Sequence, residues 1–128
     1  MRMKLIISTI IVLTGTSVIA GPVFDAAKKG DTDALVRLLD DGADVNEPNI
    51  IPPLQIAAFN GDLDTLKLLI DRGADLDATS TMLGTALHAA AQKGYTGAIE
   101  VMIRAGTDPN SRNKDQFTPL MIASMHGH

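Results

Sequence analysis

The side chains best suited to chemistry in this chain are three histidines and two groups of aspartates. His88 stands three residues after Thr85, a spacing at which an imidazole reaches a threonine hydroxyl or a turn backbone. A catalytic base needs a nucleophile beside it and a group that orients it. No such pattern surrounds His88, so its expected role is to tie adjacent turns together. His126 and His128 form a His-x-His pair, but a zinc site needs further ligands and none of fitting spacing stands near. Asp71, Asp75 and Asp77 surround Gly73, and Asp40, Asp41 and Asp44 surround Gly42. A calcium loop requires alternating oxygen ligands, glycine at its sixth place and a distal glutamate, and neither segment has that order. Cysteine is absent, which excludes disulfides, thiolate metal sites and a thiol nucleophile. There is no glycine-rich phosphate loop and no Gly-x-Ser-x-Gly elbow. These residues point to no enzyme, no metal and no cofactor.

The elements that carry these residues repeat. Ala26-Ala27-Lys28-Lys29-Gly30 returns as Ala57-Ala58-Phe59-Asn60-Gly61 and Ala90-Ala91-Gln92-Lys93-Gly94. It returns more loosely as Ala123-Ser124-Met125-His126-Gly127. The four glycines are 31, 33 and 33 residues apart, and Gly42, Gly73 and Gly106 each follow twelve residues after one of the first three. A fixed period of this length marks a stack of supersecondary units. Pro22, Pro53 and Pro119 suit a first helical turn, where a missing N–H goes unnoticed. Thr85 and Thr118 are natural N-caps. Gly30, Gly61 and Gly94 end the short first helix, because glycine accepts the left-handed conformation. A second helix follows with apolar residues at helical spacing: Leu35, Leu38, Leu39; Leu66, Leu69, Ile70; Ile99, Met102, Ile103. There is no tryptophan, one tyrosine and three phenylalanines, so the core must be thin helices packed closely on Ala, Leu and Ile.

These marks resemble those of the ankyrin-repeat family. Thr85-Ala86-Leu87-His88-Ala89-Ala90 and Phe117-Thr118-Pro119-Leu120-Met121-Ile122-Ala123 are similar to its Thr-Pro-Leu-His-x-Ala-Ala pattern. Gly42-Ala43-Asp44-Val45-Asn46, Gly73-Ala74-Asp75-Leu76-Asp77 and Gly106-Thr107-Asp108-Pro109-Asn110 match its second signature. The resemblance runs from Pro22 to His128. It implies an all-α solenoid of antiparallel helix pairs with β-turn fingers along one edge. The expected domain is 21–128, with repeats over about 22–49, 50–80 and 81–113 and an incomplete fourth over 114–128. Three departures stand out. Phe24-Asp25 stands where later repeats have an apolar Ile or Ala, the first finger is two residues short, and Gln116 takes the place of a turn glycine. The fourth repeat stops where a second helix should begin, so a longer protein is expected. Its first helix should be held by Leu120 and Ala123 against the third repeat.

Residues 1–20 read differently. Arg2 and Lys4 precede an apolar run from Leu5 to Leu13, and small residues lead to Val18-Ile19-Ala20. This is the layout of a signal peptide cleaved after Ala20, which places the protein in the periplasm or outside the cell. The alternative is an uncleaved membrane anchor. Removing Arg2 and Lys4 from eleven basic residues leaves nine against fifteen acidic ones, a balance of −6. Nucleic acid and anionic membrane are poor partners for such a charge. The expected partner is another protein, bound by a monomer, with no membrane insertion once the leader is gone. Non-enzymatic scaffolding is the leading function; the alternative is a substrate-docking arm for a catalytic domain elsewhere in a longer chain. Within the repeats, the variable places hold Phe59, Asn60, Gln92, Lys93 and Met125 at the ends of first helices. Ile51, Met82, Leu83 and Phe117 stand in the fingers. Adjoining apolar residues at places the repeat does not require mark a contact surface, with Phe59, Phe117 and the Met82-Leu83 pair as its anchors.

Overall fold

The computed structural model describes residues 21–128, so the expected leader, 1–20, lies outside the described residues. Seven helices are present among them: α1 Pro22–Lys29, α2 Thr32–Asp40, α3 Pro53–Asn60, α4 Leu63–Asp71, α5 Ala86–Lys93, α6 Thr96–Ala105 and α7 Pro119–Met125. They pair as α1/α2, α3/α4 and α5/α6, with α7 standing without a second helix among the described residues. The first helices stack in the order α1, α3, α5, α7, and the second helices stack beside them. The expected all-α repeat fold is present.

The local reasons are those of the chain itself. Proline occupies the first turn of α1, α3 and α7. Gly30, Gly61 and Gly94 end α1, α3 and α5 at φ of 70°, 70° and 71°, in the left-handed region where a Cβ is costly. Asp31 and Asp62 then cap the second helices, accepting from Ala34 N at 3.0 Å and Thr65 N at 3.3 Å. The turn from first to second helix is thereby only two residues long.

Burial explains the alanine pairs. Ala57, Ala58, Ala89 and Ala90 are wholly buried, since neighbouring first helices approach across their methyl groups. Leu35, Leu66, Leu69 and Met102 close the core from the second helices. Ile103, expected on the buried stripe of α6, is instead 43% exposed. Leu120 is a larger correction. Its counterparts Leu54 and Leu87 are each 2% exposed, whereas Leu120 is 75% exposed. In α7 it is Pro119 that is buried, with Ile122 and Ala123 half-buried; the leucine that a following helix pair would cover faces outward. No helix among the described residues is long and apolar enough to cross a membrane.

Candidate protein-binding face

The fingers are held by a recurring device at the third residue of each first helix. In α5 this residue is His88, 2% exposed. Its Nδ1 faces the Thr85 N–H at 3.2 Å and the Thr85 hydroxyl at 2.8 Å, completing a capping box. Its Nε2 lies 2.8 Å from the Phe117 carbonyl in the next finger. An N–H on Nε2 satisfies both ends at once: Nδ1 accepts at the helix start, and Nε2 donates across the repeat boundary. In α3 the same place holds Gln55, 1% exposed. Its Nε2 donates to Ala78 O at 2.9 Å and Gly84 O at 2.7 Å, and its Oε1 accepts from the Ser80 hydroxyl at 2.6 Å. A buried polar side chain is stable only when so satisfied. His88 was legible as a tie between turns. Gln55 was not, because glutamine at that place departs from the pattern that carries the resemblance.

In α1 the third residue is Phe24, which cannot make the bond, and the device is reversed. Glu47 and Asn49 reach from the first finger to the helix start: Phe24 N donates to Glu47 Oε1 at 2.6 Å and Gly21 N to Asn49 Oδ1 at 2.9 Å. Burial raises the Glu47 carboxyl above its ordinary value and Asp25 adds to this, while hydrogen bonds from Phe24, Asn49 and Val23 work against the rise.

A second ladder joins successive signatures. Asn46 Oδ1 accepts from Asp75 N at 2.7 Å, and Asp77 Oδ1 accepts from the Thr107 hydroxyl at 3.1 Å and Asp108 N at 3.3 Å. Asp44, Asp75 and Asp108 each accept from the N–H two residues on, the turn-forming role that their type predicts. His126 and His128 stack with centroids 6.5 Å apart. Among the described residues, no three His, Asp or Glu side chains gather as a metal site.

The residues expected to bind a partner separate into two groups. Met82 and Met125 are exposed at 69% and 64%. Phe59 is half-buried against the core, and the Lys93 ammonium sits over its ring, 4.6 Å from the centroid. Asn60 is exposed, and its amide donates to Lys28 O at 3.3 Å, linking the second repeat to the first. Ile51, Gln92 and Phe117 are half-buried, as is Leu83, which packs on the core. Ile50, one residue before Ile51, is the exposed apolar tip of the first finger at 57%. The short finger concealed that register in the sequence.

Two comparisons with known families agree with this architecture. A model described as ankyrin repeats (3 copies) matches residues 54–128, and one described as ankyrin repeats (many copies) matches residues 23–70. The chain belongs to the ankyrin-repeat family. Among curated proteins it is similar to protein phosphatase 1 regulatory subunit 12A. It is 50% identical over 44 residues to the Mus musculus and Rattus norvegicus proteins, and 53% identical over 36 residues to that of Homo sapiens. The first two alignments cover 34% of this chain and the third 28%, and each covers 4% of the relative, so the chain spans a small part of the proteins it matches. Family membership points to interaction with a protein partner.

Proposed function

We propose that the chain is a non-enzymatic scaffold that binds a folded protein through its finger tips and the exposed ends of its first helices. One observation carries this reading. The finger carbonyls of Ala78, Gly84 and Phe117 are engaged in tying repeats together, while Ile50 and Met82 stay exposed on successive fingers. Exposed apolar side chains at adjoining places favour association with a complementary surface. Phe59, half-buried against the core beneath Lys93, and the half-buried Phe117 are poorer anchors than their residue type suggests.

The test is capture of one partner by the array and by an Ile50→Ser/Met82→Ser variant whose helix content matches the parent by circular dichroism. The variant should lose the partner. Retention by the variant, together with loss on changing the outer-helix residue Lys67, would move the binding face to the second helices.

The leader layout of residues 1–20 supports export to the periplasm or beyond. Expressed with its leader in a Gram-negative host, the protein should appear in the osmotic-shock fraction about 2 kDa lighter, beginning at Gly21. A retained Met1 in the membrane pellet would make it an anchored array instead. The phosphatase-subunit relatives favour a second reading, in which the repeats dock a substrate or enzyme for a longer protein.

A further inference from the structure

We propose that the first finger forms a cradle for a primary ammonium group, and that its occupant is the α-amino group of Gly21 released by leader removal. The occupant rests on the export reading above; the cradle rests on the fold. Gly21 N already donates to Asn49 Oδ1 at 2.9 Å, across 28 residues of sequence. The Glu47 carboxylate lies against the Gly21 Cα, so closely that a Cβ there would overlap it. Asn49 Nδ2 donates to the Glu47 backbone carbonyl at 3.3 Å, which holds the Asn49 side chain in place within the finger.

Among the described residues, the electrostatics of this corner lack a cation. Glu47 is half-buried, and among the described residues no lysine or arginine pairs with it; the ion pair found there joins Arg72 to Asp40. The charged neighbour acting on Glu47 is Asp25, another anion. The equivalent ties at Gln55 and His88 use a neutral amide and an imidazole that bond peptide carbonyls, with no carboxylate. A peptide N–H at Gly21 offers one donor and no charge. An ammonium offers three donors and the missing positive charge. Only glycine lets that nitrogen and the carboxylate approach without displacing Glu47.

The sign of the effect is definite. In the unprocessed chain the Glu47 carboxyl is raised by burial and by Asp25. Its contribution to stability is therefore present below the ordinary carboxylate value and lost as pH rises through the folded value. An adjacent ammonium draws that value back down. The ion pair then adds stability that disappears as pH rises through the amine's own pKa. Glu47→Gln keeps an acceptor for Phe24 N but removes the charge. It should leave the unprocessed chain unchanged or raise its melting temperature, and should lower that of the chain beginning at Gly21.

The decisive measurement is an NMR titration of the Gly21 amine in the exported, processed protein, labelled with ¹⁵N-glycine. The same reading is taken on a chain whose tag is removed by a protease that leaves Gly21 first. The amine should titrate about one unit above the ordinary α-amino range of about 7.7–8.0, and Glu47→Gln should return it to that range. Circular dichroism confirms that each variant is folded. An amine that titrates at its ordinary value, or that ignores Glu47→Gln, overturns the cradle. An exported protein that still begins at Met1 removes the occupant, while the titration of the tag-cleaved chain decides the cradle by itself.

Discussion

At the scale of single residues, the recurring decision is what stands third in each first helix. A polar side chain there is fully buried and reaches the next finger, as His88 and Gln55 do; an apolar one leaves the finger to reach back, as Glu47 and Asn49 do at Phe24. Removing His88 strands the Thr85 N–H and the Phe117 carbonyl together. His88→Ala should therefore cost about 2–3 kcal/mol in urea unfolding, at the upper end for a lost buried hydrogen bond. Gln116 is the other residue with a local consequence. It holds φ of 68°, a left-handed conformation that its Cβ opposes, while its carbonyl accepts from Arg112 Nη1 at 2.8 Å. Gln116→Gly keeps that bond and relieves the backbone. It should stabilise the protein by about 0.5–1 kcal/mol, since the greater freedom of glycine in the unfolded chain offsets part of the gain.

At the scale of elements, α7 differs from its counterparts although its sequence resembles theirs. It is seven residues long, too short to persist alone in water, and its leucine is not covered. Leu87→Ala, in a wholly packed place, should cost about 2–5 kcal/mol. Leu120→Ala at the matching place should cost less than about 0.5 kcal/mol, as for an exposed residue. Hydrogen exchange checks the same contrast without mutation. Amides after Phe117 should exchange far faster than those from Leu66 to Ile70, because the end of a stack opens locally before the whole unfolds. Equal protection at both places would mean that α7 is covered by another surface, with self-association the first cause to test.

At the scale of the molecule, stability is distributed along the stack, since each repeat buries its faces only against its neighbours. The chain carries its own probe for this. Tyr95 is the single tyrosine, there is no tryptophan, and its ring lies where a Cβ on Gly61 would meet it, at the join of the second and third repeats. In a urea titration Tyr95 fluorescence should report one central transition. Circular dichroism should begin to fall earlier, by roughly the share of helix that α7 contributes. Coincident curves from the two probes would show that α7 unfolds with the rest.

The sequence alone determined the period, the starts and ends of the first helices and the family, because proline, threonine and glycine act on the backbone within a turn of where they stand. The alanine pairs gave the packing of first helices for the same reason: closeness requires small residues wherever it occurs. The binding face depended on more. Phe59 and Met82 are equally plausible contacts on paper, yet the fold half-buries one beneath Lys93 and exposes the other at 69%. Leu87 and Leu120 occupy the same place in the pattern and have opposite exposures. Gly21, Glu47 and Asn49 meet only because the first finger folds back over the start of α1. Burial and these long-range contacts depend on which neighbour each repeat stacks against, and that is a property of the assembled array.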